Sequence, residues 1–511
     1  MTFLPLYIDP GTGSMLFSIL IGACATLFFL AKAFWLKLKL FFTGGKGQKL
    51  DKAYKKYVIY SEDKRYWNIF KPVLDEFEKR KIEITYYVAN DKDPVFEEKY
   101  EFVKPEVIGE GNKAFAKLNM LSAGFVLMTT PGLQVYQLKR SKNVKHYSHI
   151  FHSPGDPTMY RLFGIDYFDS ILCTGDYQFE DIREMERQRK LPAKQLVTVG
   201  CTYLDVFKKR MEEIPAEENH QFTVLVSPSW GKSALLSLYG KKLLDPLVAT
   251  GWKIIIRPHP QSRISEAQML SELEEAYKDV PNVEWDSNRD NFYSLKKADI
   301  MITDFSGIIW DYTFLCDKPV MYANAEMELG PYDAYDIDHE IWQFSTVKKI
   351  GIKIEEKDFA NIKNVIQNAS DSPELAAARK KARDEAWMHI GEAGKRTADF
   401  MIQTMEKIEK LKDEIIKQLI QLKPRNATES YQQGWDDCLA AINKINIQNI
   451  ENIEILEDVN DIKNIDNGEN DIINFLMDNS FNGNDGSYGN CEKIHLTNKQ
   501  QHFFELLDSN W

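Results

Sequence analysis

Short apolar runs alternate with amphipathic or charged stretches over most of this chain, and the two periods predict strands and helices in turn. KKYVIYS (55–61) reads as a strand, 66–80 as a helix and ITYYVAN (84–90) as the next strand. The alternation continues through 103–111, 117–132, 144–156 and 167–175, then a charged helix over 176–190, and 196–207 closes this half. A polar, acidic stretch, 208–221, reads as a link. A second set begins at FTVLVSPSW (222–230), followed by a helix over 235–251, the strand WKIIIRPHP (252–260) and a charged helix over 265–278. VEWD (283–286), a helix over 290–298, DIMITDFS (299–306) and KPVMYAN (318–324) complete it, and 374–420 is helical with Gly391 and Gly394 interrupting. Strands alternating with helices imply parallel sheets with helices on both faces, so the chain is read as α/β, with two domains, 51–215 and 216–422, facing a cleft.

The two ends depart from this pattern. Gly13 to Ala31 is almost wholly apolar over about 19 residues, near the length that crosses a hydrocarbon core. Lys32, Lys37, Lys39, Lys46 and Lys49 follow it, interleaved with aromatic and aliphatic residues. A cleaved signal peptide carries its positive charge before the apolar core, whereas here it comes after. Residues 1–50 are therefore expected to be a single-pass anchor in the cell membrane, with a basic stretch on the inner leaflet and the α/β domains cytoplasmic. Residues 423–511 form a low-complexity tail: 12 asparagines fall between 446 and 490, and little of it can be buried.

Charge sharpens the division. The 511-residue chain has a net charge of −12, and from Arg425 onward there are 16 acidic and 5 basic residues, so the body is near neutral. That argues against nucleic acid as a partner. The six cysteines are scattered with no CxxC pair, which points away from a disulfide framework or a zinc site. Gly231-Lys232-Ser233 lacks the earlier glycine of a phosphate-binding P-loop. No metal or cofactor is expected from any visible motif.

Candidate chemistry gathers where predicted strands end, the edge at which open α/β sheets bind ligands. One strand delivers Arg257 and His259, two apart and so expected on one side of an extended segment. Another delivers Thr303, Asp304, Ser306 and Gly307 to the start of a helix, a natural phosphate site. Asp304 would repel phosphate and is expected to cap the helix or orient a partner. Ser229 and Trp230 end a third strand and are candidates for nucleotide contact, although a tryptophan there is more often core. His152 follows a strand and is wrapped by Ser153-Pro154-Gly155. Its imidazole can accept a proton near neutral pH, with His149 and His146 as nearby alternatives.

These blocks resemble the CDP-glycerol glycerophosphotransferase family, the teichoic-acid-type polyol-phosphate transferases. The resemblance is carried by VLVSPSWGKS (224–233), IIIRPHP (254–260), ADIMITDFSGIIWDY (298–312) and GEAGKRTADFM (391–401), and covers roughly 145–402. HIFHSPGDPTMYR (149–161) stands where the family has WHGTPLK, but Ser153 replaces the glycine and no lysine follows. The resemblance implies two Rossmann-like domains of glycosyltransferase-B type and transfer of glycerol phosphate, or a related polyol phosphate, from a nucleotide donor such as CDP-glycerol to a lipid-linked acceptor of a surface polymer, with CMP released. It implies His152 and His259 as catalytic residues. Donor contacts would come from Arg257, Ser229, Thr303, Ser306, Gly307 and Asp311, with Lys395 and Arg396 closing over phosphate from the terminal helix. A solvated helix face is the plain alternative for Asp311, Lys395 and Arg396. Two rival functions remain at this point: a sugar-nucleotide glycosyltransferase or epimerase on the same fold, and a non-catalytic membrane scaffold docking through its acidic tail.

Overall fold

The structure, a computed structural model, describes residues 54–215, 220–288, 291–323 and 329–422. The expected anchor at 1–50 and the tail from 423 lie outside the described residues. No helix among the described residues is long and apolar enough to cross a membrane.

The first sheet contains β1 (Lys55–Ser61), β2 (Ile84–Val88), β3 (Val103–Val107), β4 (Ala123–Met128), β5 (Val144–Ile150), β6 (Ser170–Cys173) and β7 (Gln195–Thr198). Every pairing is parallel and the order is β3-β2-β1-β4-β5-β6-β7. Its helices are α1 (Trp67–Lys79), α2 (Asn112–Leu118), α3 (Gln178–Arg189) and α4 (Thr202–Glu213). The second sheet contains β8 (Thr223–Val226), β9 (Lys253–Ile256), β10 (Val283–Trp285), β11 (Ile300–Thr303), β12 (Val320–Ala323) and β13 (Gly351–Ile354), again all parallel, in the order β10-β9-β8-β11-β12-β13. Its helices are α5 (Leu235–Tyr239), α6 (Lys241–Ala249), α7 (Ser262–Ser265), α8 (Ala267–Tyr277), α9 (Phe292–Lys297), α10 (Ile308–Cys316), α11 (Trp342–Ile350), α12 (Ile362–Ser370) and α13 (Pro373–Ala386), and α14 (Ala393–Leu422) ends the described chain.

In both sheets the winding direction reverses beside the first strand, between β1 and β4 and between β8 and β11. This is the doubly wound arrangement, and the reversal opens a crevice at the strands' carboxyl ends. All residues of β2, β4, β8 and β11 are buried. Covered on both faces, such strands read as unbroken apolar runs, which made them legible in the sequence.

Three expectations change. The link drawn at 208–221 is half helix: α4 runs to Glu213, because Leu204, Phe207 and Met211 form an apolar stripe that is buried. The helix expected over 235–251 breaks at Gly240, whose φ is +41°. The assignment of everything from 216 to 422 to the second domain fails for α14. Its Ala398, Phe400, Met401, Met405 and Ile408 lie in one core with Ile69, Phe70 and Phe77 of α1 and with Phe125 of β4. The chain thus recrosses to the first sheet before it ends. Glycines permit the crossing: a Cβ on Gly394 would sit 2.6 Å from the Pro72 carbonyl oxygen, and one on Gly200 would sit 2.5 Å from that of Met388.

The halves are also joined through side chains. Cys201 and Leu204 pack in one cluster with Met301, Ile309 and Trp310 of the second half. The Asp205 carboxylate accepts from Trp387 Nε1 at 2.9 Å, Gly391 N at 2.7 Å and Ala393 N at 3.1 Å. Three donors offset the cost of burying that charge and hold the turn between α13 and α14.

Met401 is fully buried between α14 and the first sheet. Met401→Ala is expected to cost about 2–5 kcal/mol, read as a lower midpoint in urea unfolding followed by tryptophan fluorescence. An unchanged midpoint would contradict the placement of α14 in the first core.

Candidate active site

A cavity of about 300 Å³ lies between the halves, walled by loops that leave β5, β8, β9 and β11 at their carboxyl ends and by Trp310 of α10 and Gln343 of α11. The first half contributes Phe151, His152, Gly155, Asp156, Met159 and Tyr160, and the second Ser229, Trp230, His259 and Phe305 to Gly307.

The second wall is organised by Asp304. Its carboxylate accepts from Ser229 N at 2.9 Å, Leu235 N at 2.9 Å and Ser306 N at 3.1 Å. One buried side chain thereby ties the loop after β8 to the turn that opens α10. Burial pushes its pKa up while the three N–H groups oppose the shift. Asp304 builds the phosphate-type turn without facing it, leaving Ser306 and Gly307 at the helix start. Thr303 serves the same scaffold: its hydroxyl donates to the Ser227 carbonyl at 2.7 Å and is buried.

His259 is held in one tautomer. The backbone N–H of Gln261 donates to His259 Nδ1 at 3.1 Å. A backbone N–H can only donate, so neutral His259 carries its proton on Nε2. Burial lowers its pKa, with Glu266 opposing. Trp230, which the sequence favoured as core, is instead 50% exposed, with its ring 6.4 Å from that of His259. Arg257 does not line the cavity. β9 ends at Ile256, and the guanidinium turns to Asp286 at 2.6 Å, beyond β10.

On the first wall, His152 Nδ1 lies 3.3 Å from the Tyr160 hydroxyl, which also lies 3.0 Å from His149 Nε2. Burial, with the Arg65 charge adding, lowers the His152 pKa to about 4. Burial and then His152 lower that of His149 to about 3. Both rings are neutral near pH 7. His146 is elsewhere, bonded to Ser170 Oγ at 2.8 Å and stacked on Phe125.

Tyr160 is itself clamped by the second half. Asp333 N donates to the Tyr160 carbonyl at 2.9 Å. The Asp333 carboxylate accepts from Phe163 N at 2.8 Å and Gly164 N at 3.3 Å, and pairs with Arg189 at 2.7 Å. Asp156, buried at the cavity edge, accepts from Gln343 N at 2.7 Å. Burial, with Asp181 beside it, raises the Asp156 pKa far above the carboxylate range, and a protonated Asp156 leaves this wall without the negative charge that would repel a phosphate.

Residues 187–337 match the family model described as CDP-Glycerol:Poly(glycerophosphate) glycerophosphotransferase. That segment is thus of the CDP-glycerol glycerophosphotransferase type. The matched segment holds the whole second wall apart from Gln343, and ends before the Lys395 and Arg396 block. Solved structures with similarity include the wall teichoic acid polymerase TagF, with 14% identity over 70% of this chain and 91% of that one and a TM-score of 0.46. Others are a putative UDP-N-acetylglucosamine 2-epimerase from Listeria monocytogenes, with 12% identity over 70% and 98% and a TM-score of 0.47, and the UDP-GlcNAc 2-epimerase from Neisseria meningitidis bound to UDP-GlcNAc, with 14% over 69% and 100% and a TM-score of 0.44. No curated protein gives a significant sequence match.

Of the residues that the glycerophosphotransferase resemblance suggested, the cavity brings together His152, Ser229, His259, Ser306 and Gly307. It does not include Arg257 or Thr303, for the reasons above. Asp311 is buried under the site rather than solvated on α10: it accepts from Tyr203 Oη at 3.1 Å and Asn291 Nδ2 at 3.4 Å, and burial pushes its pKa up to about 7. Lys395 pairs with Asp399 at 3.6 Å and Arg396 with Glu392 at 2.9 Å along α14, and neither lines the cavity. Tyr160 and Asp156 escaped sequence reasoning. The one local signal for them is Asp156-Pro157, which opens a short 3-10 turn over Pro157–Met159 and sends the chain back towards His152.

The raised Asp156 pKa has a thermodynamic sign. The native state holds a proton that the unfolded chain releases near pH 4, so this contribution to stability is present in acid and lost as pH rises. The loss amounts to at most about 1.4 kcal/mol per pH unit. Asp156→Asn keeps an acceptor for Gln343 N and removes the titration. Its melting temperature is expected to fall less than the wild type's between pH 5 and 8, and parallel curves would refute the assignment.

Proposed function

We propose that the protein moves glycerol phosphate, or a related polyol phosphate, from a CDP-linked donor to a hydroxyl of a lipid-linked surface-polymer acceptor and releases CMP. The observation that carries this reading is the meeting of His152 and His259, from opposite halves, in one cavity within reach of the α10 N-terminus, where the second wall is the segment matching the family model.

In this reading the acceptor hydroxyl passes its proton to His152 as its oxygen attacks the phosphorus next to the polyol. The bond from that phosphorus to the oxygen bridging to CMP breaks, and CMP leaves with the electron pair. His259 Nε2–H, the Ser306 hydroxyl and the N–H groups that open α10 stabilise the charge on the two phosphates. The exposed Trp230 ring offers a face for the cytosine base. The donor is a substrate, and the proton and charge balance closes without a cofactor. Residues 1–50 are proposed to hold the enzyme at the membrane, where a lipid-linked acceptor lies, with the catalytic halves on the cytoplasmic side.

The test is nucleotide release by purified protein given CDP-glycerol, CDP-ribitol or UDP-sugars with a membrane extract as acceptor. CMP release from one CDP-polyol is expected, reduced about 10²–10⁴-fold in His152→Ala and in His259→Ala. UDP release would move the protein to sugar-nucleotide chemistry, and turnover of no donor by a folded protein would leave it a scaffold. Deleting residues 1–45 is expected to leave donor hydrolysis intact while slowing transfer to lipid-linked acceptors. Equal loss of both activities would count against the anchor's role.

A further inference from the structure

One face of the first half, outside the cavity, carries cations and exposed apolar side chains together. From Gly111 to Asp169 the chain has seven lysines and arginines against three acids. All three acids, Asp156, Asp166 and Asp169, are buried, and the last two pair with Arg189 and Arg140. The solvent side of this stretch therefore shows no carboxylate, in a body that is otherwise near neutral.

The stretch forms the outer layer over one side of the first sheet. Leu118 of α2, Leu133 and Leu138 of the loop after β4, and Ile165 and Phe168 before β6 share one core with Val126 of β4 and Ile171 of β6. The segments are tied to one another. Asn119 Nδ2 donates to the Gln137 carbonyl at 2.9 Å and Lys139 N to Asn119 Oδ1 at 2.7 Å. Gly132 N donates to the Gly164 carbonyl at 2.7 Å, and Arg140 Nη1 to the Tyr167 carbonyl at 2.5 Å. From these same segments Met120 is 57% exposed, Tyr136 69%, and Phe163 and Tyr167 43% each. Lys117, Lys139 and Arg161 are exposed among them.

A single exposed apolar residue needs no partner. Four on bonded neighbouring segments, interleaved with cations, suit a lipid interface. There aromatic bodies sit at the headgroup level while lysine and arginine heads stay with the phosphates. A protein partner fits less well, since lysine is depleted from protein interfaces. The cationic face complements the negative surface of an anionic leaflet. It stops at the second half, where Asp338 and Glu340 are exposed. It also runs up to the site: Phe163 follows Tyr160, which lines the cavity, by three residues.

We propose that this face, built on Met120, Tyr136, Phe163 and Tyr167, docks on an anionic lipid bilayer. Its use as the side from which a lipid-linked acceptor enters rests on the transfer reading, whereas the contact itself does not.

The test is hydroxyl-radical oxidation of full-length protein, read site by site by mass spectrometry. The protein is reconstituted with vesicles of equal parts phosphatidylcholine and phosphatidylglycerol, with vesicles of phosphatidylcholine alone, or in detergent. Attachment is not the readout, because the proposed anchor would hold the chain to either vesicle. Met120, Tyr136 and Tyr167 are expected to be protected on the anionic vesicles, while the exposed Tyr293 of α9 reacts as in detergent. Protection should fade as salt approaches about 1 M, where the screening length falls to about 3 Å. Lys117→Gln with Lys139→Gln should weaken docking about fivefold per lysine, read as a lower salt concentration at half protection. The same variant should leave donor hydrolysis unchanged. Equal reactivity of the three residues on anionic vesicles and in detergent overturns the proposal. So does equal protection on phosphatidylcholine alone, which removes charge from the contact. Equal protection by inorganic polyphosphate overturns it in favour of a site for soluble polyanions. Protection that needs no vesicle and rises with protein concentration overturns it in favour of a contact between copies. The footprint is read without turnover, so a protein that releases no CMP can still show it, and one that transfers can fail it.

Discussion

The cleft depends on one buried carboxylate. Asp333 reaches from the second half into the loop 160–164 of the first, accepting two backbone N–H groups and pairing with Arg189, which also holds Asp166 and Asp336 at 2.7 and 2.8 Å. Phe163 in that loop has a φ of +68°, a left-handed conformation that is uncommon for an aromatic residue. Asp333 bonds its N–H, and the Arg189 guanidinium lies 5.0 Å above its ring. A buried charge with one partner is a liability. With several it fixes geometry, because each lost partner leaves an uncompensated group. The position of Tyr160, and through it that of His152, follows from this contact between halves.

Asp205 and Asp304 repeat the device. Each is buried and each accepts three N–H donors, all three distant in sequence for Asp205 and two of the three for Asp304, whose third is Ser306 N in its own turn. Irregular backbone at the carboxyl edges of two sheets has N–H groups that no ladder satisfies, and carboxylates are efficient acceptors for them. The result is a site whose loops are stapled by Asp205, Asp304 and Asp333, none of which lines the cavity, while the cavity wall is made of imidazoles, hydroxyls, aromatic rings and a helix start, with Asp156 as its one acid among the described residues. That separation suits a transferase of anionic donors.

The asymmetry of the two histidines has the same origin. His259 sits in the turn of its own strand, where a local backbone N–H sets its tautomer. Among the described residues, His152 has at its Nδ1 only the hydroxyl of Tyr160, eight residues on, whose backbone is held by a loop from the other half. The His152 side of the cavity is therefore the side coupled to interdomain geometry, and the His259 side is preset by its own loop.

The sequence by itself determined the two parallel sheets, since strands buried on both faces are apolar at every position. It also determined which residues fall at strand ends, and so brought His152, Ser229, His259, Ser306 and Gly307 into view. The same reasoning could not tell Arg257, Thr303 and Asp311 from these. Whether a polar side chain at a strand end faces the ligand or the scaffold depends on a partner such as Asp286, Ser227 or Tyr203, supplied by another element. Nor could local periodicity show that α14 belongs to the first core, because an amphipathic stripe declares that a helix buries one face and not against what. Tyr160, Asp156 and Asp333 acquire their roles only when the halves meet. Those choices belong to the tertiary structure, since a hydrogen bond is specified by two groups whose separation in the chain carries no information about their distance in space.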